Sequence, residues 1–284
     1  NLALAAVFLP FLGLVARLGL KVMPDTPSVE DLGQPRYLDP NCIDSPSEAL
    51  ASAARETLNL GDQVARMLRL TMDALERNDS KLVRQIEQAD NAVDKLYESI
   101  KLYLIQASRT EKSLEDSRRS VDILTFTTNL EHIGDIIDKN LMELAGKKIR
   151  NRYVFSAEGQ AELKRFHARV MDNLQLAFNV FMSRDKTLAR RLLAEKQGMR
   201  EAELAAAESH FNRLRQGRAE SIETSSIHLD VIRDLKRING HLTSVAYPIL
   251  EAAGELHQTR LREREEEAQR SAAPLEPAER PARS

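Results

Sequence analysis

The residues in this chain whose type and spacing could do chemistry are acidic. Glu131, Asp135 and Asp138 recur at intervals of four and three within Leu130-Glu131-His132-Ile133-Gly134-Asp135-Ile136-Ile137-Asp138. On an α-helix that spacing stacks the carboxylates one turn above the next, beside an apolar stripe. Upstream, Glu87, Asp90 and Asp94 recur at three and four, with Glu98 one turn further. Like charges so spaced repel, and something must compensate them. If antiparallel helices bring the two edges together, the carboxylates form a hard-oxygen site for a divalent or trivalent metal. The competing reading is a solvated acidic face, with Lys95, Lys101 and Lys139 near enough to neutralise part of it. His132 lies among the acids in sequence but points to another side of the helix, which makes it a surface or packing residue.

The elements that must position these edges follow from apolar periodicity. Leu50, Ala54, Leu58, Gly61, Ala65, Leu68, Met72 and Leu75 mark a first helix. Asn78-Asp79-Ser80 interrupts it and supplies a cap for the next. Leu82, Ile86, Ala89, Val93, Leu96, Ile100 and Tyr103 mark a second helix. A polar break from Arg109 to Asp116 then leads into a third, on Phe126, Leu130, Ile133, Ile137, Leu141 and Leu144, reaching about Arg150. Short turns between long helices predict antiparallel neighbours and a three-helix bundle. After Asn151–Ser156 the pattern restarts. Leu163, Phe166, Val170, Leu174, Ala177 and Phe181 make a fourth stripe, ending at Ser183-Arg184-Asp185-Lys186 much as the first ends at Arg77-Asn78-Asp79-Ser80. A fifth helix covers about 187–215, and a sixth runs from about Ser221 to His257, with Pro248 as a late kink or stop. Three helices repeat once, at an offset of about 105 residues, with Leu130-Glu131-His132-Ile133 aligned to Leu235-Lys236-Arg237-Ile238. In the second repeat bases and glycine stand where the first has acids, so a metal site is expected in the first bundle only.

Composition supports an all-α chain and excludes several functions. Of 284 residues, 30% are charged and 5% aromatic, with no Trp, which suits long helices. The 41 basic and 43 acidic residues nearly cancel and lack an aromatic platform, so nucleic acid is not an expected partner. A Ser/His/Asp grouping, a phosphate-cradling glycine loop, a C-x-x-C pair and an H-E-x-x-H motif are all missing, which disfavours an enzyme. The single Cys42 cannot form an internal disulfide. All ten prolines lie at or before Pro46 or at or after Pro248, leaving roughly two hundred proline-free residues for helices.

Residues 2–16 are uncharged and are succeeded by Arg17 and Lys21. Taken through Leu20, the segment approaches the roughly 20 residues that cross a bilayer. A signal peptide is the weaker alternative, lacking a basic start and a cleavage site, and a buried soluble helix is the plain one. We read 1–23 as the end of a transmembrane helix whose beginning is missing, with the basic residues placing the rest of the chain in the cytoplasm. Residues 24–46 read as a Pro-rich linker, 47–150 and 151–257 as two three-helix bundles, and 258–284 as a disordered tail.

Ile86-Glu87-x-x-Asp90-x-x-Val93-Asp94, followed by Leu130-Glu131-His132-Ile133-Gly134-Asp135, resembles the phosphate-uptake regulator family PhoU, whose duplicated three-helix bundles carry E-x-x-x-D metal motifs. Asn1-Leu2-Ala3 and Phe8-Leu9-Pro10-Phe11 look like the end of the last membrane helix of bacterial Na/phosphate cotransporters that attach a PhoU-like domain at their cytoplasmic end. His228-Leu229-Asp230 and Arg233 through His241 look like the closing helix of that fused domain. The resemblance covers roughly residues 1–257. It implies a regulatory domain at the inner face of the plasma membrane whose partners are its own transporter portion and, through it, sodium and inorganic phosphate. Self-association is left open. It also implies Glu87, Asp90, Asp94, Glu131 and Asp135 as metal ligands, the metal being unidentified. The Gln-Ser-rich repeats that bind substrate and sodium in such transporters do not occur here, so this chain alone is not expected to transport.

Overall fold

The computed structural model describes residues 32–110 and 113–255 and is all-helical there. The expected transmembrane end (1–23), the beginning of the Pro-rich linker and the C-terminal tail lie outside the described residues. Helices α1 (Pro46–Arg77), α2 (Ser80–Ala107) and α3 form the first bundle. Helix α3 is α-helical over Leu114–Asp135 and again over Met142–Arg150, joined by a π-helical turn at Ile136–Leu141. The second bundle contains α4 (Ala157–Ser183), α5 (Lys186–Arg215) and a third strut in three pieces: α6 (Ala219–Glu223), α7 (Ser225–Thr243) and α8 (Ala246–Ala252). Pro248 sits in the first turn of α8, where its missing N–H removes no helix bond.

The two repeats use the same turn chemistry. Asn78 and Arg184 end α1 and α4 in the left-handed conformation, at φ 54° and 53°. In each case the next residue, an aspartate, caps the succeeding helix: Asp79 accepts from the Lys81 N–H and Asp185 from the Leu188 N–H, both at 2.8 Å. Ser113 caps α3 through the Asp116 N–H.

Helix α1 is the spine. It is buried on most of its circumference because α2 and α3 cover one side and α4 covers the other. Gly61 lets the two bundles approach closely: a Cβ there would lie 2.7 Å from the Phe178 ring of α4. Beside it Phe126 of α3 packs on Phe181 and edge-on to Phe178, so three aromatic rings fill the seam. His167 Nε2 on α4 bonds the Leu68 carbonyl on α1 at 2.7 Å, inside that seam.

Three expectations from the sequence need adjustment. The sixth helix, expected to run on from about Ser221 with Pro248 as its kink or stop, is instead broken at Thr224 and again at Ser244–Val245, ahead of the proline. The stripe predicted along α3 holds through Leu141, but Leu144 is only half-buried, and Met142 and Ala145 enter the core instead. The wide π turn explains this, since it advances the register and buries adjacent pairs, Ile136 with Ile137 and Leu141 with Met142. The described part of the Pro-rich stretch is a docked strap. The Arg36 and Tyr37 N–H groups donate to the fully buried Glu56 carboxylate at 2.8 and 2.6 Å, which also accepts from Asn59. The Tyr103 hydroxyl donates to the Asp39 carbonyl, and the Arg55 guanidinium lies over the Tyr37 ring.

The second bundle buries a polar cluster at the end nearest the inter-bundle loop. Arg213 clamps Glu162 with two hydrogen bonds of 2.8 and 2.9 Å, and both side chains are almost fully covered. His228 stacks on His210 at 5.0 Å, and His210 bonds Ser225. Burial, then the neighbouring His210 and Arg213, push the His228 imidazole down to about 4, against the pull of Glu162. A histidine depressed in the folded state contributes stability that is complete above its unfolded value near 6.5 and declines as pH falls toward 4. The urea midpoint is therefore expected to drop between pH 7 and pH 4.5, and His228→Phe, which keeps the stacked ring without the proton, should flatten that drop. An unchanged pH profile in the variant would remove His228 as its cause.

Candidate metal centre

Helices α2 and α3 run antiparallel and bring the two acidic edges together as their spacing predicts. Asp90 and Asp94 on α2 and Asp135 on α3 each place a carboxylate oxygen within 4.8 Å of the other two, the one such group among the described residues. Asp90 is 6% exposed. Its Oδ1 is buried with no hydrogen-bond partner, and so is Oδ1 of Asp138. A buried unpaired carboxylate oxygen is costly, and two beside one another call for a cation.

Gly134 explains how Asp90 fits. A Cβ at that position would fall 2.8 Å from Asp90 Oδ1 and 3.5 Å from Val93 Cγ1. The glycine therefore opens a recess in which the α2 carboxylate rests against α3.

Electrostatics follow from this packing. Burial, then the charges of Asp138, Asp94 and Asp135, push the Asp90 carboxyl up to about 7. Partial burial and Asp135 raise Asp94, and burial followed by the Glu87 charge raises Asp138. One ammonium opposes them: Lys139 Nζ lies 2.5 Å from Asp135 Oδ1, and that hydrogen bond raises its own pKa. One cation against four carboxylates leaves the group strongly negative.

Of the five residues the sequence nominates, Asp90, Asp94 and Asp135 converge. Glu87 is exposed at the edge, where its charge reaches Asp138. Glu131 is not in the converged group; its carboxylate engages His132 Nδ1 at 2.8 Å. Asp138, on the same edge but outside the nominated ligands, is not one of the three that converge within 4.8 Å, yet its charge is the foremost one acting on Asp90. It stands three residues after Asp135, inside the π turn, so the spacing that marks the acidic edge already includes it.

These residues fit a hard cation: oxygen donors only, two of them buried and unpartnered, with a recess shaped by Gly134. Asp90, Asp94, Asp135 and Asp138 would hold it, with Glu87 at the rim. Its chemistry there would be charge neutralisation and a cross-link between α2 and α3. The second bundle lacks this set. Lys236 is ion-paired with Glu203, and Lys196 donates to the Tyr247 hydroxyl.

The pattern that defines the PhoU domain matches the sequence twice, over residues 57–143 and 163–249. The provisionally named inorganic phosphate export protein YjbB of Salmonella typhimurium is 39% identical over 253 residues, covering 88% of this chain and 46% of that protein. Its Escherichia coli K12 counterpart is 36% identical, covering 90% and 47%. The phosphate-specific transport system accessory protein PhoU homolog 1 of Thermotoga maritima is 28% identical, covering 69% of this chain and 86% of that one. The chain thus spans about half the length of the phosphate export proteins it matches. In fold it is similar to the crystal structure of PhoU from Pseudomonas aeruginosa, with a TM-score of 0.65, 20% identity, and coverage of 72% and 96%.

Two outcomes test the centre. Mn²⁺ at a hundredfold excess over its dissociation constant should stabilise the chain by about 2.7 kcal/mol in chemical denaturation. Asp90→Asn should abolish that gain while making the metal-free protein more stable at pH 7 by roughly 1–3 kcal/mol, because it removes a buried unpaired charge. Gly134→Ala should improve helix propensity yet lose Mn²⁺ uptake by displacing Asp90, whereas Glu131→Gln should keep it. Equal metal uptake by Gly134→Ala and the native chain would exclude the recess as a determinant.

Proposed function

The chain belongs to the PhoU domain family, and from that premise we propose that it is a regulatory, non-enzymatic module of phosphate transport, working as part of a larger membrane transporter. The observation that carries this reading is the alignment of 88% of the chain with only 46% of a protein named for phosphate export. In this reading residues 1–23 are the end of the transporter's last membrane helix, the bundles lie on the cytoplasmic side, and the transporter portion is the principal partner. Sodium is the coupling ion of that portion. Among the described residues no helix is long and apolar enough to cross a membrane, so the membrane contact in this proposal falls to residues before 32.

The metal centre supplies the regulatory element. A cation at Asp90, Asp94, Asp135 and Asp138 fixes α2 against α3, and its loss leaves like charges free to push those helices apart. The module can thus exist in a tight and a loosened state without altering its core stripes.

A second reading is an adaptor that serves a separate phosphate importer or sensor kinase. The Thermotoga maritima homologue favours it, since this chain covers 86% of a protein named as an accessory of a phosphate-specific transport system.

Phosphate flux and its sodium dependence, measured in cells carrying the complete protein or a version ending after Pro24, separate the two. The transporter reading expects flux to persist in the shortened protein while its response to external phosphate disappears. An unchanged response would sink the regulatory role, and flux absent from the complete protein would favour the adaptor.

A further inference from the structure

We propose that the cleft between the two bundles, beside the acidic group, is a binding site for a small tetrahedral oxyanion that becomes available when a metal occupies the acids. The proposal rests on the reading of those acids as a metal centre. The cleft has a volume of about 280 Å³ and is lined by His132, Asp135, Lys139 and Asn140 from α3 and by Arg237 and His241 from α7.

In the structure the charges of this cleft cancel. Lys139 is held by Asp135 at 2.5 Å, and Arg237 Nη1 donates to Asp234 Oδ1 at 2.9 Å. Asp234 is 1% exposed and also receives the Asn140 amide from α3 at 3.4 Å. Arg237 is therefore anchored by a buried carboxylate through one of its five N–H donors, and the remaining fork is geometrically suited to an oxyanion. His132 and His241 meet edge to face at 5.4 Å, one from each bundle. Each engages a side-chain oxygen through Nδ1: Glu131 at 2.8 Å for His132, and Asn129 at 2.8 Å for His241. Both Nδ1 groups therefore donate, and the Nε2 atoms of the neutral rings are acceptors, suited to the P–OH of a protonated oxyanion such as hydrogen phosphate.

A cation at the acids changes this balance in one direction. Asp135 is one of its ligands, so the metal competes with Lys139 for that carboxylate and repels the ammonium. Lys139 is 64% exposed on a flexible stem and is free to move. Released, it adds an unpaired positive charge to a cleft that already holds the Arg237 fork. The buried unpartnered Oδ1 of Asp90 marks the acids as the place where the cation enters first. An oxyanion held by Lys139 from one bundle and Arg237 from the other would bridge the seam. Because the two ligands are coupled, each must strengthen the other by the same factor, typically about 5- to 150-fold.

Equilibrium dialysis of radiolabelled inorganic phosphate tests this, using the full chain with saturating Mn²⁺ or after chelation, alongside direct measurement of bound Mn²⁺. Phosphate is expected to bind at least tenfold more tightly to the Mn²⁺-loaded chain. Lys139→Met should lose that binding while taking up Mn²⁺ as well as or better than the native chain, having freed Asp135. Arg237→Gln should lose phosphate with Mn²⁺ uptake unchanged. Mn²⁺ uptake without phosphate binding overturns the oxyanion site and leaves the metal centre standing, and so does equal phosphate binding with and without Mn²⁺. Native phosphate affinity in both variants overturns the assignment of Lys139 and Arg237. No Mn²⁺ uptake overturns both readings.

Discussion

The constraint around which the first bundle's charges are arranged is the placement of one buried carboxylate. Asp90 points from α2 into the recess left by Gly134 on α3, with Asp94, Asp135 and Asp138 around it and Lys139 as the one opposing charge. The apolar stripes of α1, α2 and α3 would close without it. Those stripes supply the free energy that holds four like charges together, since burial of side chains such as Ile86, Val93, Ile133 and Ile137 contributes about 1.5–3 kcal/mol each. The core therefore tolerates an electrostatic penalty at its edge, one that a bound cation would relieve. A protein selected for stability alone would put Asn or Ser at residue 90.

The second bundle shows what the same scaffold does when that demand is absent. Its turn chemistry repeats that of the first, with a left-handed residue closing the opening helix and an aspartate capping the next. Its polar residues, however, are paired among themselves: Lys236 with Glu203, Arg237 with Asp234, Arg213 with Glu162. Only His228 is left strongly perturbed, and there the one carboxylate in reach, Glu162 at 3.3 Å, is already clamped by Arg213. The duplication has thus separated the roles: one bundle holds excess negative charge, while the other presents Arg237 and His241 to the cleft next to it.

How much of this was legible in the sequence depends on which physical signal each part leaves. Long stripes with a period of 3.6 leave a strong one, so the helices, their antiparallel order and the repeat could be read from Leu68, Ile86 or Phe181 and their partners. Acids beside a stripe leave a weaker one. It was enough to nominate Asp90, Asp94 and Asp135, because i, i+3 and i+4 relations hold within straight α-helix. It did not separate ligands from neighbours on the same edge: Asp138 acts on Asp90 through its charge, while Glu131 turns to His132 instead. The strap was hidden for another reason. Proline, glycine and aspartate in residues 32–45 mark the end of regular structure, but no local pattern says that Glu56, buried on a helix, will accept the Arg36 and Tyr37 N–H groups.

That strap joins the two ends of the functional proposal. Glu56 fixes it to α1, while Gly33 lies so close to α2 that a Cβ would be 2.7 Å from the Lys95 side chain and 3.3 Å from Ala92 Cα. Ala92 and Lys95 flank Asp94 and lie within a turn and a half of Asp90. The segment beginning at residue 32 therefore rests on the helix that carries half of the acidic group. A rearrangement of α2 against α3, of the kind that gaining or losing a cation would drive, cannot occur without moving the surface on which Gly33 sits. Conversely, a pull on the strap is delivered to α2 through backbone packing and to α1 through a buried carboxylate. The chain segment that would connect this module to a membrane partner thus packs on the helix that carries Asp90 and Asp94, and a close-packed contact there transmits displacement where a slack tether would absorb it.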